Sequence, residues 1–282
     1  MTAETAPGLG ALRAGQEIDL VLACTRKDRL VGRSGGPYLA LEFRDRTAAL
    51  PGRAFRDADL LAGRFERGDI VRVRGRVDRF RDELSIDVAD VAQAPGTDPA
   101  EFLPVAYRDI TELDGFFEHL AREVHDADLR ELLRAVFGDA ELRAAFRRAP
   151  CTRGGHHAYL GGLLEHTVAV GTLAVETCIL HPRLNSDVLI TAALLHDIGK
   201  TREFTYGAEI GLSEEGRLLG HLAIGQRLID ERAGTLPDEK RIAVMHCVLA
   251  HHGNRFSSPE AAALARLNAL DASVKEALEH GL

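Results

Sequence analysis

Cysteine is scarce. The four thiols in 282 residues, Cys24, Cys151, Cys178 and Cys247, stand too far apart for a CxxC metal knuckle or redox pair and are too few for a disulfide framework. They read as isolated, partly buried thiols. Long apolar runs are also missing: no stretch reaches the roughly 18–20 uninterrupted apolar residues that cross a bilayer. The acidic start, broken by Pro and Gly, lacks the basic and apolar segments of a signal peptide. A cytoplasmic chain without a membrane partner is the expectation. Nor is there an excess of positive charge: the net charge of -8 argues against a protein that coats nucleic acid with its whole surface. What is present is ordinary for a folded chain, with 45% hydrophobic and 28% charged residues, and the length suggests about two domains.

The charge is unevenly placed. Residues 1–100 hold 16 basic and 16 acidic side chains, so all of the negative excess falls in the remainder. The hydrophobic period changes at the same place. Over residues 18–91 apolar positions alternate, as in Val71, Val73 and Val77 against Arg72, Arg74 and Arg76, and again in Leu39, Leu41 and Phe43. About five such strands in a short span suit a small closed barrel, because closure removes exposed edges. Residues 92–100 carry two prolines and a glycine and read as a linker. Beyond them, apolar residues three or four apart predict helices over 110–123, 129–137, 141–147, 163–180, 187–195, 215–232, 238–252 and 259–279. Asp109 and Asp139 are suited to cap two of these. No strand-like run of comparable quality follows the linker.

Histidines concentrate in the helical part. His166, the adjacent His196 and Asp197, His221, and the pair His251 and His252 sit inside or at the ends of the predicted apolar helices. A His-Asp pair directly after Ala-Ala-Leu-Leu costs solvation unless it is paired or bound to an ion. Imidazole and carboxylate suit Mn, Fe, Co, Ni or Zn, and Asp197 is the natural bridge if two ions are held about 3.5–4 Å apart. Spacing alone leaves open whether these are ligands or satisfied core histidines, since four distant segments have to meet.

The motif His156-His157-Ala-Tyr-Leu-Gly-Gly-Leu-Leu-Glu-His166-Thr, followed by Leu-Leu-His196-Asp197-Ile-Gly-Lys200, resembles the HD superfamily of metal-dependent phosphohydrolases. Joined to Gly-Gly-Pro-Tyr38-Leu-Ala-Leu-Glu-Phe-Arg-Asp-Arg-Thr in the preceding barrel, it resembles the YhaM-type 3′-to-5′ exoribonuclease branch more specifically. The resemblance implies a multidomain chain, a small all-β OB-fold barrel followed by an all-α HD-superfamily domain. The expected boundaries are 15–92 for the barrel, 93–108 for a linker, 109–150 for connecting helices and 151–282 for the HD domain.

Residue by residue, it implies a metal site from His166, His196, Asp197, His221, His251 and His252. The position where the family carries a metal-binding Asp is Asn268 here, whose amide oxygen coordinates without bringing charge. Asp271, one helical turn further and on roughly the same face, is expected to compensate. Candidates for catalysis are Asp197, Lys200 near the scissile phosphate, and His156 and His157. The implied cofactors are one or two divalent cations, Mn first, with Fe, Co or Ni as alternatives.

From Arg64 to Arg81 seven arginines face three acidic residues, so this stretch of the barrel is locally basic. Arg72, Arg74, Arg76 and Arg79 are the candidate phosphate contacts, and Tyr38 and Phe80 the candidate stacking platforms, with Phe55 beside them. The partner expected is single-stranded RNA, with single-stranded DNA as an alternative and a homo-oligomer in view. The expected activity is release of 5′-mononucleotides from a 3′ end. Two alternatives stand beside it: hydrolysis of small or cyclic nucleotides, and a catalytically impaired single-strand binder.

Overall fold

The computed structural model of the chain describes residues 8–32, 35–80 and 83–280. The chain divides into two compact units, residues 1–104 with 206–210, and residues 105–205 with 211–282.

The first unit is a closed five-stranded barrel. Its strands are β1 (Glu17–Val31), β2 (Pro37–Arg44), β3 (Ala49–Ala54), β4 (Ile70–Phe80) and β5 (Glu83–Gln93), with a short helix α1 (Ala58–Ala62) between β3 and β4. They close in the order β1-β2-β3-β5-β4. Strand β1 is long enough to serve two neighbours: residues 17–23 pair antiparallel with β4 and residues 23–31 with β2, the latter pairing interrupted by a bulge at Thr25. A parallel pairing of Gly52 with Ile86 joins β3 to β5. The alternation seen in the sequence sets the interior, where Leu39, Leu41, Phe43, Val71, Val73, Val77, Ile86 and Val88 are buried. This is an OB-type barrel.

The expected linker is not bare. Strand β5 runs on to Gln93, and a 3₁₀ turn over Pro99–Phe102, capped by Asp98, leads to Leu103, which is fully buried. Proline and glycine punctuate this segment without keeping it from packing.

The second unit is helical. It comprises α2 (Ile110–Arg122), α3 (Ala127–Phe137), α4 (Ala140–Arg148), α5 (Gly162–Leu180), α6 (Ser186–Leu195), α7 (Lys200–Glu203), α8 (Glu214–Asp230), α9 (Asp238–Ala250) and α10 (Pro259–His280). Asp109, Asp126 and Asp139 cap α2, α3 and α4, each accepting two backbone N–H groups of the first turn. Phe117, Phe137 and Phe146 meet edge to face at centroid distances of 4.6–5.3 Å and anchor these three helices.

Helix α6 and the first half of α5 are largely buried, which marks them as central. Residues 188–195 are all buried. By length and composition α5 is apolar enough to cross a membrane, but half of its most apolar window is buried, and Glu165 and His166 are enclosed within it. The all-helical expectation needs one correction: β6 (Phe204–Tyr206) and β7 (Ile210–Leu212) form a hairpin after α7. Its strands are only three residues long, too short for a period to register in the sequence.

Candidate functional site

Three helix ends and one helix interior bring the site together. His166 lies in the first turns of α5, His196 and Asp197 directly after α6, His221 within α8, and His251 and His252 directly after α9. Two glycines make the approach possible. Gly220 has a φ of 70°, a left-handed conformation that kinks α8 immediately before His221. Gly199 lies so close to the backbone of α8 that a Cβ there would stand 2.0 Å from the carbonyl oxygen of His221.

Asp197 is 2% exposed and stands at the centre. Its Oδ2 lies 3.3 Å from His196 Nε2 and 3.6 Å from His166 Nε2, while Oδ1 lies 3.5 Å from both His221 Nε2 and His251 Nε2. The carboxylate therefore divides the imidazoles into two groups. Asn268 Oδ1 joins the first at 2.9 Å from His166 Nε2, and His252 joins the second at 3.1 Å from His221 Nε2.

The far edge of each ring explains which nitrogen faces inward. His196 Nδ1 donates to the carbonyl of Ala193 and His251 Nδ1 to that of Val248. A carbonyl can only accept, so the proton sits on Nδ1 and the Nε2 lone pair points at Asp197. Glu203 Oε1 lies 3.3 Å from His221 Nδ1, and Asp271 Oδ2 lies 2.6 Å from His166 Nδ1. Carboxylates behind imidazoles in this way orient metal ligands and raise their basicity.

Two observations test whether cations fit. Asp197 Oδ1 and His251 Nε2 are buried with no hydrogen-bond partner among the described residues. His166 Nε2 and His196 Nε2 are only 3.2 Å apart. Orphaned acceptors and facing lone pairs are costly without a positive centre between them, and the donor set of imidazole, carboxylate and amide oxygen suits a divalent transition metal. The residues fit.

Charge at the centre is tightly arranged. Burial pushes the Asp197 carboxyl up, but the Lys200 ammonium, 2.7 Å from Oδ2, counters it, and the carboxyl is held well below the usual carboxylate range. For Lys200 burial acts downward, and Asp197 and Cys151 raise it further than burial lowers it. Burial lowers His251, brings His156 down to about 4, and with neighbouring His251 brings His252 down to about 3. These rings are neutral, as ligands must be. An open cavity of about 710 Å³ gives access, lined by Cys151, Arg153, His156, Lys200, His252 and Arg266 among others.

Not every candidate from the sequence lies in this ring. His157, 2% exposed with a φ of 52°, is held by the hydroxyl of Tyr159 and the carboxylate of Asp271. Asp271 does not stand beside Asn268 as expected. Its carboxylate occupies the outer edges of His157 and His166, because one helical turn along α10 carries it past the Nε2 side of the ring. The reading of the sequence passed over Cys151, Glu203 and the half-buried Tyr159–Glu165 pair, whose hydroxyl and carboxylate are 2.7 Å apart. Glu203, one turn after Lys200, carries no spacing signal of its own.

In the barrel, the arginines of β4 alternate outward but meet acids on both neighbouring strands. Asp19 on β1 takes Arg72 through two contacts, at 2.6 and 2.9 Å, and Arg74 at 3.4 Å. Arg76 is in register with Glu17 and Asp87, and Arg79 lies further along the same strand, with its backbone N–H bonded to Asp78. Of these four arginines, Arg72 and Arg74 thus share one carboxylate brought from far away in sequence. Tyr38 stacks on Phe55 at a centroid distance of 5.3 Å, and Phe55 is 61% exposed. The side chain of Phe80 lies outside the described residues.

The HD domain family profile matches residues 163–273, and an OB-fold nucleic acid binding domain profile matches residues 21–92. The chain is 25% identical over 264 residues to a protein named 3'-5' exoribonuclease YhaM from Shouchella clausii, covering 90% of this chain and 81% of that one. It is 25% identical to the proteins of the same name from Listeria monocytogenes serotype 4b (92% and 86% covered) and Bacillus subtilis (90% and 82% covered). Among solved structures, a small single-stranded DNA-binding protein from Streptomyces coelicolor is similar over 30% of this chain and 100% of its own, with 21% identity and a TM-score of 0.26. An OB-fold profile followed by an HD domain profile, with likeness running through both and through the segment between them, makes the chain similar to the proteins named 3'-5' exoribonuclease YhaM.

Proposed function

We propose that this chain is a metal-dependent phosphodiesterase that shortens single-stranded RNA from its 3′ end and releases 5′-mononucleotides. The observation that carries this reading is buried Asp197, with one oxygen toward His166 and His196 and the other toward His221 and His251, two histidines that line an open cavity. The relatives named 3'-5' exoribonuclease supply the substrate class and the polarity.

His166, His196, Asp197 and Asn268 would hold one divalent cation, and Asp197, His221, His251 and His252 a second. When bound, such cations polarise water and neutralise phosphate charge; Mn is the first choice, with Fe, Co or Ni as alternatives. The chain's own residues then position the strand. Lys200 keeps Asp197 ionised, and its ammonium lies on the wall where a non-bridging phosphate oxygen would sit. Arg153 and Arg266 offer further cations on the cavity lining. His156 is neutral near pH 7, which suits a donor and argues against a role as general acid to the leaving oxygen. Glu203 and Asp271 orient His221 and His166.

On the barrel, the stacked Tyr38–Phe55 pair is the platform for bases. Replacing both with alanine is expected to weaken binding of single-stranded RNA by about 1–3 kcal/mol per base released, measured by fluorescence anisotropy. Replacing Arg72 and Arg74 with glutamine is expected to do less, because Asp19 already engages both guanidinium groups. An affinity unchanged by the aromatic replacements rejects the platform.

The activity itself is tested with RNA labelled at either end, incubated with Mn(II) and then with a chelator. Loss of one nucleotide at a time from the 3′ end, stopped by the chelator, is expected. Equal or faster hydrolysis of free or cyclic nucleotides favours a small-nucleotide hydrolase instead. Affinity without metal-dependent turnover favours a binding protein, and DNA of the same sequence reads the sugar preference.

A further inference from the structure

Cys151 follows α4 and is 1% exposed, with its backbone N–H on the carbonyl of His157. Its sulfur does not sit among apolar side chains. Sγ lies 3.7 Å from His156 Nε2, 3.3 Å from Lys200 Nζ and 3.8 Å from Asp197 Oδ2. Sγ and one ring nitrogen from each of His156 and His166 all lie within 4.8 Å of one another. We infer that Cys151, His156 and His166 form a sulfur-bearing corner of the metal centre that takes a thiophilic divalent cation of the Zn(II) class.

Three features support the assignment. The first is distance: with metal–sulfur and metal–nitrogen bonds of about 2.3 and 2.0–2.1 Å, two ligands at a tetrahedral angle stand about 3.6 Å apart, close to the Cys151–His156 separation. The second is charge. Asn268 contributes none and Asp197 is shared between the two groups of imidazoles, so a Cys151 thiolate would add negative charge at this end of the centre. Burial pushes the Cys151 thiol up to about 12, so the thiol carries its proton in the metal-free chain and would release it on binding a cation. The third is access, since Cys151 and His156 both line the open cavity. Thiolate ligation shifts preference from Mn(II) toward Zn(II) or Co(II).

The inference rests on the metal-centre reading above, and the experiment separates the two. The metal-free full-length chain is titrated with Co(II), and its near-ultraviolet and visible spectra are followed. A thiolate-to-cobalt charge-transfer band is expected in the unsubstituted chain, lost in Cys151→Ser and Cys151→Ala and kept in Cys178→Ser. Competition with Zn(II) is expected to show affinity lower by at least about tenfold in Cys151→Ser. Bound Co(II) with visible bands but no charge-transfer band overturns the inference and leaves the imidazole-carboxylate centre standing. A band that persists in Cys151→Ser overturns it too, because the sulfur then lies elsewhere. No Co(II) uptake by the unsubstituted chain overturns both readings, and that result does not depend on how any variant folds.

Discussion

Replacing Asp197 with asparagine is expected to lower both turnover and divalent-metal affinity by at least about a hundredfold, the upper end of what losing an outer partner of a metal ligand costs. The side chain keeps its volume but loses the charge shared between the two groups of imidazoles. A second consequence is independent of metal. Lys200, 6% exposed, loses its carboxylate partner, and breaking a buried pair from one side costs about 3–5 kcal/mol because the remaining charge has no counterion. The metal-free variant is therefore expected to unfold at a lower temperature than the metal-free parent. Adding Lys200→Met is expected to restore much of that stability without restoring metal uptake. Calorimetry of the three proteins with metal analysis checks this, and full metal affinity in Asp197→Asn would remove Asp197 from the centre.

Gly199→Ala is expected to cost at least about 3 kcal/mol, the upper end of ordinary overpacking, because the obstacle is backbone. The new methyl would meet the carbonyl oxygen of His221 at 2.0 Å and the amide nitrogen of Gly225 at 2.6 Å, and neither can move without moving α8. Moving α8 carries His221 away from Asp197 Oδ1 and from His252, so the second half of the centre loses affinity along with stability. Gly115→Ala in α2 is the control. A Cβ there meets nothing within 4 Å, and the change is expected to be neutral or to stabilise by up to about 1 kcal/mol. Thermal unfolding and metal content of the two variants give the comparison, and equal stability of both would show that α7 and α8 are not locked together at Gly199.

The barrel and the helices were legible because each rests on a local period. Valines alternating with arginines in β4 imply a half-buried strand wherever it is paired, and unbroken apolar faces in α5 and α6 imply central helices. The hairpin of β6 and β7 was not legible, since three residues hold no period. Nor was the packing of Leu103, because one apolar residue among prolines and glycines does not reveal what it will lie against.

At the centre the division is sharper. The identity of the donors, a histidine-aspartate pair at a helix end with other histidines on apolar helices, is a property of the chain and needs no fold to be read. Their roles are decided in three dimensions, because coordination depends on which ring edge faces which atom. Asp271 falls behind His166 by the rotation of one helical turn, Cys151 comes next to Lys200 from 49 residues away, and Asp19 reaches across from β1 to take two of the arginines that made β4 look free to bind phosphate. The sequence by itself determined which elements form and which chemistry-bearing residues are available. Only the tertiary structure decided which of them face one another, because periodicity acts over a few residues whereas charge pairing and ligation act over a few ångströms, whatever the separation along the chain.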